Sequence, residues 1–318
     1  MLSRAREHGV LWLMKDHLDE HTLFNTVAMQ CKATGKMALV VEGKTDYLLL
    51  YRPFGGHILL KHATGGKTQV LQAAKLALDR NFDSIRFLVD RDYDNYREAK
   101  SYGSNVLVSV SHDCVIDVVA RARDDLHHVI CVRVARVSPR FSDESCVPED
   151  IAREAYDLCA RFSATRIVAA RRSLDLRLSE FKFGGLKKCQ LSPEEIANQA
   201  LVRSRYQGDD RERIVQESLK EYERIRISPL LEIGDHDFFD ALAYVLNERC
   251  RVKVKGDDLQ YDVLGAISSK AVFETQWCKE IMAWLKRSGF GSDLLLRGFD
   301  HNEEVSRNVS CSGGTDGA

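Results

Sequence analysis

The chain has 318 residues, with 46 Lys and Arg against 47 Asp and Glu and a formal net charge of −1. Hydrophobic residues make up 44% and charged residues 29%, a composition that supports a real core and excludes a wholly disordered chain. The balanced charge excludes nucleic-acid binding by bulk field, so any such contact must come from a local patch. Nine cysteines without a CxxC pair point to reduced thiols in a cytoplasmic protein and give no paired spacing for zinc. No signal peptide or membrane-spanning run is expected.

Residues 1–35 form an N-terminal helical segment, with Leu11, Leu13, Met14, Leu18, Leu23, Phe24 and Val27 at roughly helical spacing. Thr34-Gly35 ends it. Four apolar runs follow, at Met37–Val41, Ile58–Leu60, Ile85–Val89 and Val106–Val110, each short enough for a buried parallel strand. Helical stretches separate them at Thr45–Tyr51, Thr68–Leu78 and Val115–Ala122. The alternation predicts an α/β domain with a small parallel sheet over residues 36–125. Residues 126–300 read as a mostly helical region. Its helices fall at Pro148–Arg172, 193–205, 210–224, 236–249 and 272–287, with a short strand at Leu176–Phe183 ended by Gly184-Gly185. Residues 301–318 are small and polar, and read as a disordered tail.

Two acidic clusters follow apolar runs. The first strand ends in Val41-Glu42-Gly43-Lys44-Thr45-Asp46, and the third in Val89-Asp90-Arg91-Asp92-Tyr93-Asp94. Ligands of open α/β sheets bind beyond the carboxyl ends of the strands, where both clusters sit. Converging carboxylates repel unless a cation neutralises them, and oxygen-only ligands select a hard one. Magnesium is the expected ion, with manganese as its substitute. Asp90 and Asp92 are two residues apart, so in an extended segment both point the same way.

At these residues the chain resembles the TOPRIM domain of topoisomerases, primases and overcoming-lysogenisation-defect nucleases. The resemblance covers residues 36–125 and rests on Glu42-Gly43, Asp90-x-Asp92 and the strand–helix order. It implies Glu42 as general acid or base, Asp90 and Asp92 as magnesium ligands and catalytic residues, and Asp46 as a further acid. A closer likeness is to TOPRIM nucleases of the PARIS anti-phage type. There His112-Asp113-Cys114-Val115-Ile116-Asp117 stands where relatives open a helix with an acid, which makes Asp117 a further ligand. Gly234-Asp235-His236-Asp237 is similar to a Gly-His-Asp element of the second half. The resemblance implies a magnesium-dependent nuclease of RNA, transfer RNA included, or of DNA. It also implies anti-phage defence, a homodimer, and restraint by an ABC-type ATPase partner. The competing reading is a catalytically inactive subunit of an ATPase complex.

Other signals compete. Gly-Lys-Thr occurs at 43–45 and at 66–68, but Ala38 and Lys61 stand where a P-loop requires glycine. Thr64–Thr68 still precedes a helix, so Lys67 and the loop amides are candidates for phosphate, as is Lys44. Residues 161–188 form the best basic stretch. Within it Arg171, Arg172 and Lys182 are candidate nucleic-acid contacts, interleaved with Phe162, Phe181 and Phe183. His17 and His21 are four apart on a predicted helix and lack a third ligand nearby.

Overall fold

A computed structural model describes residues 19–97, 101–137, 146–176 and 192–289. Most of the expected N-terminal helix, the expected strand from 177 on and the tail lie outside these residues, as do His17 and Lys182. The fold is α/β, a small parallel sheet accompanied by many helices. By its contacts the chain divides into two compact units. One holds the described residues up to Leu88, 105–107 and those from Val272 on; the other holds Val89–Ser104 and Val108–Ala271. This division differs from the linear one at 125, because chain that follows the third and fourth strands groups with the helices.

The first unit begins with α1 (Glu20–Thr34), capped by Asp19, whose carboxylate accepts from Thr22 N at 2.7 Å. Gly35 ends it in the left-handed region, φ 68°, where glycine carries no side-chain penalty. Then come β1 (Ala38–Val41), α2 (Lys44–Phe54), β2 (Leu59–His62), α3 (Gly66–Asp79), β3 (Ile85–Val89) and β4 (Val106–Val108). The strand order is β2-β1-β3-β4. Strand β1 pairs in parallel with β2, Val41 opposite His62, and with β3, Val41 opposite Leu88. Phe87 N donates to Asn105 O on the β4 side. Central β1 is buried throughout, which explains its unbroken apolar run. Edge strand β2 ends in half-buried Lys61 and exposed His62.

The expected helices of this unit form with small shifts of boundary, and its last helix comes from the far end of the described chain. This C-terminal helix (Gln276–Arg287) buries Trp277, Cys278, Ile281, Trp284 and Leu285 on one face. Its Trp284 indole donates to Asp83 O at 3.3 Å and carries the Arg86 guanidinium 5.2 Å above its ring.

The second unit is helical: α4 (Cys114–Val119), α5 (Arg123–Val137), α6 (Pro148–Arg171), α7 (Pro193–Arg203), α8 (Arg211–Ile225), α9 (Asp235–Cys250) and α10 (Gly256–Ala266). Helix α11 (Ser269–Phe273) follows, so the C-terminal helix is α12. Helices α5, α10 and α11 are additions to the predicted set, and the helix expected at 272–287 begins only at Gln276. The long α6 is the centre, packed by α7, α8 and α9. Its alanines Ala160 and Ala164 let Ile225 of α8 approach closely, and Tyr93, Tyr96 and Tyr222 pack on the same cluster. Among the described residues no helix is long and apolar enough to cross a membrane.

Leu39 is fully buried in the central strand. Leu39→Ala should therefore cost about 2–5 kcal/mol, seen as an earlier urea transition of tryptophan fluorescence, since Trp277 and Trp284 lie in the same unit.

Candidate functional site

Glu42 stands one residue beyond β1, and Asp90 one residue beyond β3. The register that sets Val41 against Leu88 makes the two strands end side by side. Each unit then handles its own acids. In the first, Gly43 is the N-cap of α2, and its amide donates to Asp46 Oδ2 at 3.0 Å. Asp46 is buried and accepts this amide, where a negative charge also meets the positive end of the helix. Glu42 is half-buried, and Lys44 is exposed as the first residue of α2.

In the second unit three carboxylates are linked through backbone amides. Asp90 Oδ1 accepts from Cys114 N at 2.8 Å. Asp113 is the N-cap of α4: its Oδ1 accepts from Ile116 N at 2.8 Å, and its Oδ2 takes the Asp235 amide at 2.6 Å. Asp235 opens α9, and its own carboxylate accepts from His236 N and Gln260 Nε2, both at 2.6 Å. Burial pushes the Asp90 carboxyl up to about 6, outweighing the Cys114 amide, and repulsion from Asp92 and Asp235 adds to the rise. Asp113 lies well above the usual carboxylate range through burial and then through Asp235 and Asp90. Burial raises Asp235 also. Acids arranged this way share protons or share a cation.

Asp92 completes the group electrostatically but departs from the extended geometry that the sequence suggests. Its φ is 52°, in the left-handed region, and its amide donates to His112 O at 2.7 Å. The chain turns at Asp92, so strand alternation does not set its direction; Asp tolerates this conformation better than most residues. The His112 ring meets Tyr93 edge-on at 4.5 Å, and its Nδ1 lies 3.7 Å from Asp113 Oδ2 without a hydrogen-bond partner. Burial lowers its pKa to about 4, which keeps the imidazole neutral near pH 7. Gly234 runs so close beside this ring that an added Cβ would stand 3.4 Å from His112 Cε1.

No protein-family profile and no curated protein matches this sequence. The assignment of chemistry therefore rests on the residues themselves.

The turn that follows Asp90 is held from several sides. The Arg91 guanidinium donates to Leu231 O at 2.5 Å and to Glu232 Oε2 at 3.3 Å. Tyr96 donates to Glu232 Oε1 at 2.6 Å and receives Arg224 at 2.6 Å. Tyr93 reaches Ser163 Oγ at 3.3 Å. Tyr102 donates to the buried Asp94 at 2.6 Å. Behind them Arg166 forms a two-pronged ion pair with Asp237, the last residue of the Gly234–Asp237 element.

Several expected contacts turn out to serve the scaffold. Asp117 accepts from Val110 N at 2.8 Å and Ser111 N at 2.7 Å, so both carboxylate oxygens hold the loop after β4. Arg172 pairs with Glu217 at 2.6 Å and with Asp210, and Arg171 pairs with Glu221 at 3.3 Å while covering the Tyr96 ring. These guanidinium groups join α6 to α8. In the 64–68 loop, Thr64 N and Gly65 N both donate to Gln69 Oε1, at 3.0 and 2.9 Å. The cradle expected around Lys67 thus has two of its amides taken by its own helix. Asp113 and Asp235 are the acids that sequence reasoning does not single out. Asp113 reads as a cap, a short polar residue ahead of an apolar helical run, and Asp235 falls inside the Gly234–Asp237 element, but neither pattern points to Asp90.

Two outcomes check this geometry. A carboxyl with a raised folded-state pKa contributes stability below its unfolded value that is lost as pH rises through the folded value. Asp90→Asn should thus raise the melting temperature by a few degrees at pH 7.5 in chelator, and the gain should shrink as pH falls from about 6 to 4. Asp237→Ala strands the Arg166 charge and should cost roughly 2–4 kcal/mol, measured by denaturant titration, with Arg166→Met in the same background restoring part of it.

Proposed function

We propose that this protein is a TOPRIM-type, magnesium-dependent nuclease. The observation that carries the reading is Asp90: a carboxylate just beyond a parallel strand, raised to about 6 by burial and crowded by Asp92 and Asp235. Such a group is relieved by a cation, and the donors around it are carboxylate oxygens, the set that hard divalent ions prefer. Glu42 follows the neighbouring strand β1, whose last residue Val41 pairs with Leu88 of β3.

In this reading Asp90 and Asp92 would hold magnesium or manganese, with Asp235 as an added carboxylate. Bound there, the ion supplies charge neutralisation at the scissile phosphate. Glu42 would move the proton between the attacking or leaving oxygen and solvent, a role its half-buried place just after β1 suits. Asp113 orients, since both its oxygens are engaged by amides of α4 and α9. Asp117 likewise acts by fixing the loop after β4, and Asp46 would be an auxiliary acid. Arg91, Tyr93 and Tyr96 keep the Asp92 turn in place, so the acids need no large rearrangement to meet a ligand. RNA and DNA both carry the phosphodiester this chemistry requires.

The test is cleavage of mixed RNA and DNA by purified protein with magnesium or with chelator. Glu42→Ala and Asp90→Ala should each lower the rate by at least about a hundredfold. Retained cleavage in both variants would sink the reading. A second readout is independent of turnover: millimolar magnesium should raise the melting temperature of the wild type and have little effect on Asp90→Asn.

A further inference from the structure

Resting on the nuclease reading, we infer that the first unit carries a base-stacking subsite for single-stranded nucleic acid, built from Tyr47, Tyr51 and His62. The starting observation is a cavity of about 500 Å³ in that unit. Leu23 and Thr26 of α1, Tyr47 of α2, Lys61 and His62 of β2, and Thr64 line it. Its size lies within the range of small-ligand pockets.

The position follows from the sheet. His62 is the last residue of β2, and the register pairs it with Val41, the residue before Glu42. Part of the cavity wall therefore lies at the carboxyl edge of the sheet, one strand away from the strand that precedes Glu42. Helix α2 begins directly after Glu42-Gly43, and Lys44, Tyr47 and Tyr51 recur on it at helical spacing. A cation and two aromatic rings thus run along one helix face away from the acid.

The rings touch in series around half-buried Tyr47 and are tilted against one another. Tyr47 lies 5.8 Å from His62, edge to face, and 5.7 Å from Tyr51. Tyr51 is 57% exposed, and the neighbouring Leu48 is 37% exposed. Exposed tyrosines beside lysines are the usual means of holding unpaired bases: rings stack on any base, and ammonium groups follow the backbone. Lys44 is exposed at the start of α2, and Lys61 lines the cavity together with Tyr47 and His62. Thr26 and Thr64 give the wall hydroxyls that can meet a base edge. A duplex would keep its bases stacked inside and gain nothing from these rings, so the site selects a single strand or an unpaired loop.

The experiment uses the full chain carrying Glu42→Gln, with fluorescein-labelled single-stranded RNA and DNA in magnesium, read by polarisation. Tyr47→Ala and His62→Ala should each weaken binding by about tenfold or more, and Tyr51→Ala by less. Tyr47→Phe should stay within about twofold, because the stacking face remains. His62 and Tyr51 are exposed, so their variants report on binding even where Tyr47→Ala disturbs packing. Duplex and a free mononucleotide serve as the remaining arms. Equal effects on duplex, or a mononucleotide bound as tightly as the strand, overturn the single-strand subsite. Cleavage by the parent chain together with binding indifferent to all three rings overturns the subsite and leaves the nuclease reading standing. Ring-dependent binding without any cleavage supports the subsite and overturns the nuclease reading.

Discussion

The Asp113 side chain accepts from two backbone amides. One oxygen closes the first turn of α4; the other takes the amide of Asp235 at the start of α9. That second bond joins residues 122 positions apart, and it brings a third carboxylate toward Asp90. Two helix N-termini bias this corner toward negative charge, and Cys114 N adds a direct donor to Asp90. The amides and dipoles recover only part of what burial and mutual repulsion cost. The residue of that imbalance appears in the raised pKa values of Asp90, Asp113 and Asp235. A fold that keeps such a corner keeps a demand for positive charge in it.

The same corner is immobilised by groups that take no part in the proposed chemistry. Glu232 is the hub: it accepts from Arg91 and Tyr96, while Arg224 bridges Tyr96 back to α8. The Arg166–Asp237 pair anchors α6 to the first turn of α9, directly after Asp235. Any movement of α8 or α9 is therefore felt at the Asp92 turn through short bonds to stiff groups. The arginines of α6 that look basic in the sequence are consumed in this bracing. Arg171 and Arg172 face Glu221, Glu217 and Asp210, so their positive charge is locally cancelled.

Much of the sheet was legible. The apolar runs at 38–41 and 85–89 become central strands because a strand covered on both faces excludes polar residues along its whole length. Helix α5 also carries its signal, since Leu126, Val129, Ile130 and Val134 lie at helical spacing and are buried. Its charged and histidine-rich start obscures that period. Glu42 and Asp90 were legible as acids that follow strands, because both come directly after apolar runs that the sequence displays.

The sequence by itself determined which carboxylates end the strands and that the strands run parallel, since short-range periodicity and connection length set both. Only the tertiary structure decided which acids share one environment. Asp117 stands beside the motifs yet has both oxygens on backbone amides. Asp235 comes from far along the chain to stand near Asp90. Tyr47 and His62 come together only because β2 pairs with β1 in one register. Hydrogen-bond partners and desolvation depend on what arrives through space, and no local pattern of residues encodes that.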